Sequence, residues 1–440
     1  MAGRLCESHR FMPVVSTRLG KHTKSSYKAL YYRPQRSDGL TSEERKEARY
    51  IRRKAKRLEK RRAALSLYDS LENVAKVSSL VAAYKSARHG VNWKASIQRY
   101  GMNLLKNVTA THKDILAGKD VRKGFVEFDI VERGKPRHIS SVHVSERVAQ
   151  RSLCANALIP VLSHSLVYDN GASVKGKGIS FAMDRLTAHL HRHYRKYGQE
   201  GYVLSIDFKN YFGNINHKYV EYILRKNFTD KKLIDFAMLF VDAFGNKGLG
   251  LGSETSQILA VAYPNRIDHA IKEKMRIKGY GRYMDDLYLI HPSKAYLQKC
   301  LKILSKAFAQ LGIVVNEKKT HIIKLSHGFT FLKTQFILTA TGKVIRKPCR
   351  ASITRQRRKL KKFRKFLDNG EMTFRQIYNA YMSWRGFILH KNAYRTVKNM
   401  DALFSELFLG ERWWKECHEQ EKTLREKSAD TKSIYATPTM

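Results

Sequence analysis

The sequence predicts an α+β fold, and three observations carry the prediction. Short segments of alternating apolar and polar residues recur between residues 124 and 346, several of them paired as hairpins. Helical periodicity fills the intervals between them. On both sides the chain becomes helical and strongly basic. Three regions result: a basic, mostly helical extension over 1–120, a mixed core over 121–345, and a helical, basic part with a tail over 346–440.

The elements follow in order. Thr41-Ser-Glu-Glu44 reads as a capping box, with Thr41 as N-cap and Glu44 reaching back, so a helix should run to about Leu67. Between Arg45 and Arg62 this helix carries eleven Lys/Arg against two Glu. Its cations, Arg52, Arg53, Lys56 and Arg57 among them, wrap around it instead of lining one stripe. That suits contact with phosphates better than a membrane surface. More helix is expected at 66–87 and 92–107. Gly124–Val131 alternates as a strand, Arg133–Pro136 turns, and Arg137 resumes extended structure, which makes a basic hairpin. Helices are expected at 145–165 and 179–198, a strand at 202–208, and helices at 216–226 and 230–243. The glycine-rich Gly245–Gly252 then leads into a helix at 254–275. A hairpin over 280–290, a helix over 293–311 and strands near 313–316, 320–325, 330–338 and 343–346 close the core. Helices near 351–368, 373–390 and 392–409 read as a small bundle. The first of them holds eight Lys/Arg between Arg355 and Lys365, including Arg357, Arg358, Lys361 and Lys362. The tail after Glu421 should fray.

Composition narrows the function. The 440 residues include 84 Lys/Arg and 38 Asp/Glu, a net charge of +46. An enzyme for small neutral metabolites has no use for such a field; a polyanionic partner does. Nucleic acid is the leading candidate and acidic membrane the rival. Disorder is disfavoured, since 43% of residues are hydrophobic and 11% aromatic. The five cysteines (6, 154, 300, 349, 417) form no CxxC pair, which argues against a zinc ribbon or disulfide framework and fits a reducing cytoplasm. His189, His191 and His193 lack Cys or carboxylate partners at ligand spacing and read as a polar helix face. Apolar runs such as Ile258–Tyr263 are too short to span a bilayer, and the N-terminus lacks the apolar core of a signal peptide.

Three aspartates stand out against this cationic background. In Val203-Leu-Ser-Ile-Asp-Phe208, Leu204, Ile206 and Phe208 share one face, and Val203, Ser205 and Asp207 the other. An aspartate ending a core strand is costly unless it opens to solvent or meets a cation. Asp285 and Asp286 lie at the turn of an apolar hairpin, where like charges repel unless neutralised. Mg²⁺ is a hard cation bound by one or two carboxylates plus substrate phosphates. With Asp207 beside Asp285, the set reads as a two-metal phosphoryl-transfer site.

Tyr283-Met-Asp-Asp286 resembles the YxDD box of reverse transcriptases, and Ser205–His217 resembles their preceding aspartate motif. Gly248–Gln257 is similar to the loop that supports template and nucleotide, Leu311–Thr320 to the next palm motif, and Gly328–Lys333 to the primer grip. These motifs follow the family's order, covering about 125–340 strongly and the helical C-terminus weakly. The resemblance implies a right-hand polymerase with fingers, palm and helical thumb. It implies metal ligation by Asp207, Asp285 and the Phe208 carbonyl, with Asp286 less direct, and two Mg²⁺ ions for which Mn²⁺ would substitute. Phe212 corresponds to the steric gate against a ribose hydroxyl. Arg137 and Lys175 correspond to residues holding the triphosphate, Gly252, Ser256 and Gln257 to the nucleotide pocket, and Lys319 (or Lys318) to a proton donor for pyrophosphate. The implied partners are dNTPs, primer, cDNA product and an RNA template, expected to be a dedicated structured non-coding RNA, with an accessory protein or oligomer and no membrane.

Leu251-Gly-Ser-Glu-Thr-Ser-Gln257 departs from the QGxxxSP of group II intron and retron enzymes. Its GxxxSQ resembles diversity-generating retroelement reverse transcriptases and neighbouring bacterial groups that serve in anti-phage defence, which implies the cytoplasm of a bacterial or phage-infected cell. No Cys/His endonuclease pattern appears, and an RNase H or integrase domain has little room. Two other functions stay open: a defence polymerase making repetitive or untemplated DNA, and a non-enzymatic RNA-binding or splicing-helper protein.

Overall fold

The computed structural model describes residues 41–132 and 135–408. Of the turn expected over Arg133–Pro136, residues 133–134 lie outside these residues, as does the tail after Glu421, while Lys135 and Pro136 already belong to a strand. The chain divides into two compact units, Met1–Arg61 and Arg62–Met440.

α1 (Ser42–Leu65) begins in the first unit, at the capping box: the Glu44 amide donates to Thr41 Oγ1 (3.3 Å), and the Thr41 amide donates to Glu44 Oε2 (2.6 Å). Every residue from 41 to 60 is exposed, as a helix with cations all round must be.

The second unit opens with α2 (Leu71–Ala75), α3 (Val77–Ala87), α4 (Ala95–Met102) and α5 (Leu104–Leu116). The expected helices at 66–87 and 92–107 are therefore each interrupted. At Asp69–Ser70 the backbone turns extended because Asp69 accepts from the amides of Thr229 and Asp230, while Asp230 accepts from the Leu71 amide. At Asn103 the chain leaves helical geometry, and Asn107 donates to the Tyr100 carbonyl it exposes. The hairpin β1 (Phe125–Glu132) and β2 (Lys135–Val142) pairs Ile130 with Arg137. Next come α6 (Val144–Leu153) and α7 (Ile159–Ser165), joined by a π-turn over Cys154–Leu158 that absorbs the missing amide of Pro160.

The central elements follow: α8 (Ile179–Tyr197), β3 (Tyr202–Lys209), α9 (His217–Asn227), α10 (Lys231–Asp242), α11 (Glu254–Ala262), α12 (Asn265–His269), β4 (Gly279–Tyr283), β5 (Asp286–His291) and α13 (Lys294–Gln310). Pro264 breaks the helix expected at 254–275, because a proline cannot donate in the helix interior. Short strands β6 (Val314–Val315) and β7 (His321–Lys324) complete an antiparallel sheet of order β4-β5-β3-β6, with β7 also on β3. A second sheet holds β8 (Phe329–Phe331), β9 (Thr334–Leu338) and β10 (Val344–Pro348). The strand expected over 330–338 is really a hairpin: Leu332 and Lys333 both take positive φ (45° and 60°) and reverse the chain.

Both faces of the central sheet are covered. Leu204, Ile206, Phe208, Leu287 and Leu289 join the main core with α9 to α13. Val203, Tyr288 and Ile290 pack against α8 and the β8–β9 hairpin. The strand faces read from sequence are those observed. The C-terminal helices α14 (Arg350–Asp368), α15 (Phe374–Leu389) and α16 (Tyr394–Phe408) have their own core, where Tyr381 stacks on Phe404 (4.4 Å) and Arg385 pairs with buried Asp401 (2.9 Å). With antiparallel sheets, separate helical parts and both faces of one sheet packed, the class is α+β.

Candidate active site

The β3–β5 ladder ends by pairing Asp207 with Asp286. β4 and β5 are joined by Met284 and Asp285, so the tight turn sets Asp285 next to that pair. Met284 sits at φ 54°, a conformation glycine normally supplies at a hairpin's first turn position. Arg282 offsets the strain by donating from Nη1 to the Met284 carbonyl (3.1 Å). Arg282 is only 1% exposed. Its charge is met by Asp268 of α12 through three bonds (Nε to both oxygens at 3.0 Å, Nη2 to Oδ2 at 2.7 Å), and Tyr280 donates to the same carboxylate (2.5 Å). A buried ion pair thus braces the turn that carries Asp285.

Asp207 is 8% exposed and accepts three bonds. Lys319 donates to Oδ1 and Oδ2 (2.9 and 2.8 Å), and Asn316 donates to Oδ2 (2.9 Å). The Asn316 amide also donates to the Asp207 carbonyl (2.8 Å), locking the segment after β6 to the end of β3. Lys319 is raised above the usual lysine range, chiefly by its bonds to Asp207. Asp285 is raised by burial and by the Asp207 charge, an effect that Lys319 and Arg137 partly offset. Asp286 is pushed up to about 7 by burial, by the charges of Asp285 and Asp207, and by sharing a hydrogen bond with Asp207. Arg137, on β2, therefore acts on the same carboxylate cluster from the hairpin side.

This donor set fits a hard divalent cation. The three carboxylates resist joint ionisation, and one of them already holds an ammonium on both oxygens. Among the described residues, no group of three or more His, Cys, Asp or Glu side chains is arranged to hold a metal ion by itself. Mg²⁺ commonly relies on one or two carboxylates and completes its shell with water and substrate phosphates.

The other expected residues fall around this centre. The Phe208 ring turns into the core against Phe308 (4.8 Å), leaving only its backbone on the site side. Phe212 is half-buried in a helical turn after β3, and its carbonyl accepts from the Leu249 amide (2.9 Å). The glycine-rich loop is pinned there: the Gly248 amide donates to the Ile215 carbonyl (2.8 Å), and a Cβ on Gly248 would meet the Gly213 backbone at 3.1 Å. Gly252, at φ 113°, lies against the Ser140 carbonyl of β2, where a Cβ would come to 3.0 Å. The loop thus connects Phe212 to the hairpin that bears Arg137. Ser256 is buried at the start of α11 and Gln257 is exposed beside it. Lys175 is exposed on the loop before α8, whereas Lys177 anchors that loop by donating to the Tyr168 carbonyl (2.7 Å) and covering the Tyr168 and Phe181 rings. Arg52, Arg53, Lys56 and Arg57 are exposed on α1, and Arg357, Arg358, Lys361 and Lys362 on α14.

Sequence reasoning assigned no role to Arg282, Asp268 or Asn316. An arginine inside the apolar Tyr280–Ile290 hairpin was the available signal, because such a residue needs a buried partner.

Residues 121–336 match the family described as reverse transcriptase (RNA-dependent DNA polymerase). No curated protein matches the chain. Among solved structures, the chain is similar to apo telomerase from Candida tropicalis truncated from its C-terminal domain (TM-score 0.40, 16% identity, 51% of this chain and 55% of that one). It is also similar to telomerase from Candida albicans in complex with a TWJ fragment of telomeric RNA (TM-score 0.42, 11% identity, 68% and 66%). A third is apo telomerase from Candida tropicalis (TM-score 0.38, 15% identity, 51% and 48%). The chain spans 55%, 66% and 48% of their lengths. No described helix is long and apolar enough to cross a membrane.

Proposed function

Since residues 121–336 carry a reverse transcriptase domain, the catalytic unit of an RNA-directed DNA polymerase, we propose that this chain copies a dedicated structured RNA into DNA at Asp207, Asp285 and Asp286. The observation that carries the reading is the pairing of Asp207 with Asp286 beside a braced turn bearing Asp285. Two divalent cations held by these carboxylates and the Phe208 carbonyl would activate the primer hydroxyl and stabilise the leaving pyrophosphate.

The chain's own residues do the rest. Arg137 and Lys175 neutralise the triphosphate. The Phe212 ring stands where a ribose hydroxyl would collide, so deoxynucleotides are preferred. Gly252 lets the loop approach β2, and exposed Gln257 would contact the nucleotide. Lys319, bound to Asp207, supplies a proton to the departing pyrophosphate once that bond opens. The exposed cations of α1 and α14 hold RNA and the primer–template duplex.

A scaffold without activity would gain by losing these repelling carboxylates, which speaks against a splicing helper. The GxxxSQ form of the 252–257 loop favours a bacterial or phage cytoplasmic enzyme of a diversity-generating retroelement, working with an accessory protein. The same loop form supports the defence reading, in which the product is repetitive or untemplated DNA.

The test is primer extension by the purified chain with an RNA template, dNTPs and Mg²⁺, together with sequencing of the nucleic acids that co-purify. Extension that stops with a chelator is expected. Failure to extend any DNA-primed or RNA-primed template with Mg²⁺ or Mn²⁺ overturns the reading.

A further inference from the structure

A cavity of about 290 Å³ opens at the far end of the β4–β5 hairpin from the catalytic turn. There Gly279 pairs with Ile290, four residues along β4 from Tyr283 and its partner Asp286, or about 13 Å of strand. Its walls come from the second half of α8, the segment before β4, and the end of β5.

Four cations line it, Arg192, Lys196, Arg276 and Lys278, and no Asp or Glu does. All four are exposed, so their charge faces the opening. Such a concentration of one sign, with no counter-charge in the wall, is an anion site by Coulomb's law. Two of the three imidazoles around it, His193 and His291, are fixed by the backbone, and His189 by the Tyr288 hydroxyl. The Ser293 amide donates to Nδ1 of His291 (3.0 Å), so the neutral ring carries its proton on Nε2 and keeps a donor to spare. His193 donates from Nε2 to the Glu200 carbonyl (2.7 Å), which holds that wall in place.

Arg276 adds an independent observation. It follows the helical turn ending at Met275 and takes φ 53°, the left-handed conformation that glycine fills at helix ends. Its side chain is exposed. The strained backbone thus carries a charged side chain at the mouth of the cavity.

We infer that this cavity binds the phosphodiester backbone of an RNA strand running outside the copying cleft. Two guanidinium and two ammonium groups contributed by separate elements spread the positive charge along the wall, which suits a polyanion better than a single small anion. The inference deepens the polymerase reading and takes from it only the nature of the polyanion.

The test uses the full chain and a labelled mixed-sequence RNA titrated across a potassium chloride series. Arg276→Gly with Lys278→Gln, and separately Arg192→Gln with Lys196→Gln, should weaken binding. Each should also flatten the salt dependence by about 0.7 in log–log slope for every phosphate that is no longer neutralised. Arg276→Gly alone should not lower the melting temperature, since glycine relieves the backbone, so a loss of affinity in it is not unfolding. Lys299→Gln with Lys302→Gln, exposed on α13 and not part of the cavity lining, serves as the control for net charge.

Unchanged slopes in both cavity variants, or an equal loss in the α13 control, would overturn the assignment. So would stabilisation of the wild type by inorganic phosphate that the variants lose while RNA slopes stay the same, because the site would then take free phosphate. A wild type that extends no primer defeats the polymerase reading, yet the slope comparison still decides the cavity.

Discussion

At the residue scale, the site depends on a few side chains held against their own preferences. Asp286 titrates near 7, Met284 occupies a glycine conformation, and Arg282 is fully buried. Each persists because a neighbour compensates. Two predictions belong here. Asp268→Ala leaves Arg282 buried without its partner and should destabilise the protein by about 3–5 kcal/mol, read by urea unfolding; a change below about 1 kcal/mol would show that the pair does not brace the turn. If Phe212 is the proposed steric gate, Phe212→Ala should relax discrimination against ribonucleotides by roughly tenfold or more, measured by competing rNTP and dNTP incorporation. Equal rejection by mutant and parent would remove Phe212 as the gate.

At the element scale, periodicity and punctuation carried most of the fold. The capping box at Thr41, both faces of β3 and the β4–β5 hairpin are where the sequence placed them. What escaped was decided by partners distant in sequence or by turns without turn residues. Helical spacing continues from Ile258 through Ile271, so it ran straight across Pro264. Leu332-Lys333 reverses the chain with neither glycine nor asparagine. Asp69 and Asp230 break a helix through partners about 160 residues away. In the site, the aspartates and Lys319 were legible because motif spacing marks them, whereas Asp268 and Arg282 matter only through a bond between elements. The network under β5 gives a pH prediction. Burial holds His189 down at about 4, against an ordinary 6.5, beside Asp169 and the Tyr288 hydroxyl (3.0 Å). Its unfolded form binds the proton more readily, so stability is lost as pH falls from about 6.5 toward about 4. His189→Asn should flatten the melting-temperature profile over that window; an unaltered profile would assign the acid sensitivity elsewhere.

At the scale of the whole molecule, the +46 charge divides by position. A few cations serve the carboxylate cluster, namely Arg137 and Lys319. Many more are exposed on α1 and α14, where nothing within their own helices neutralises the excess. Deleting residues 1–65 should therefore weaken RNA binding and make its salt dependence shallower, in proportion to the number of phosphates the extension neutralises; an unchanged slope would mean the extension holds no RNA. Against that cationic background stand the three aspartates, and the proposed polymerase reading stands on them. Primer extension and RNA affinity, measured side by side in the parent chain and in Asp285→Ala with Asp286→Ala, put that to the test. Extension should fall to background while RNA affinity is retained; extension at the parental rate would contradict catalysis at these carboxylates.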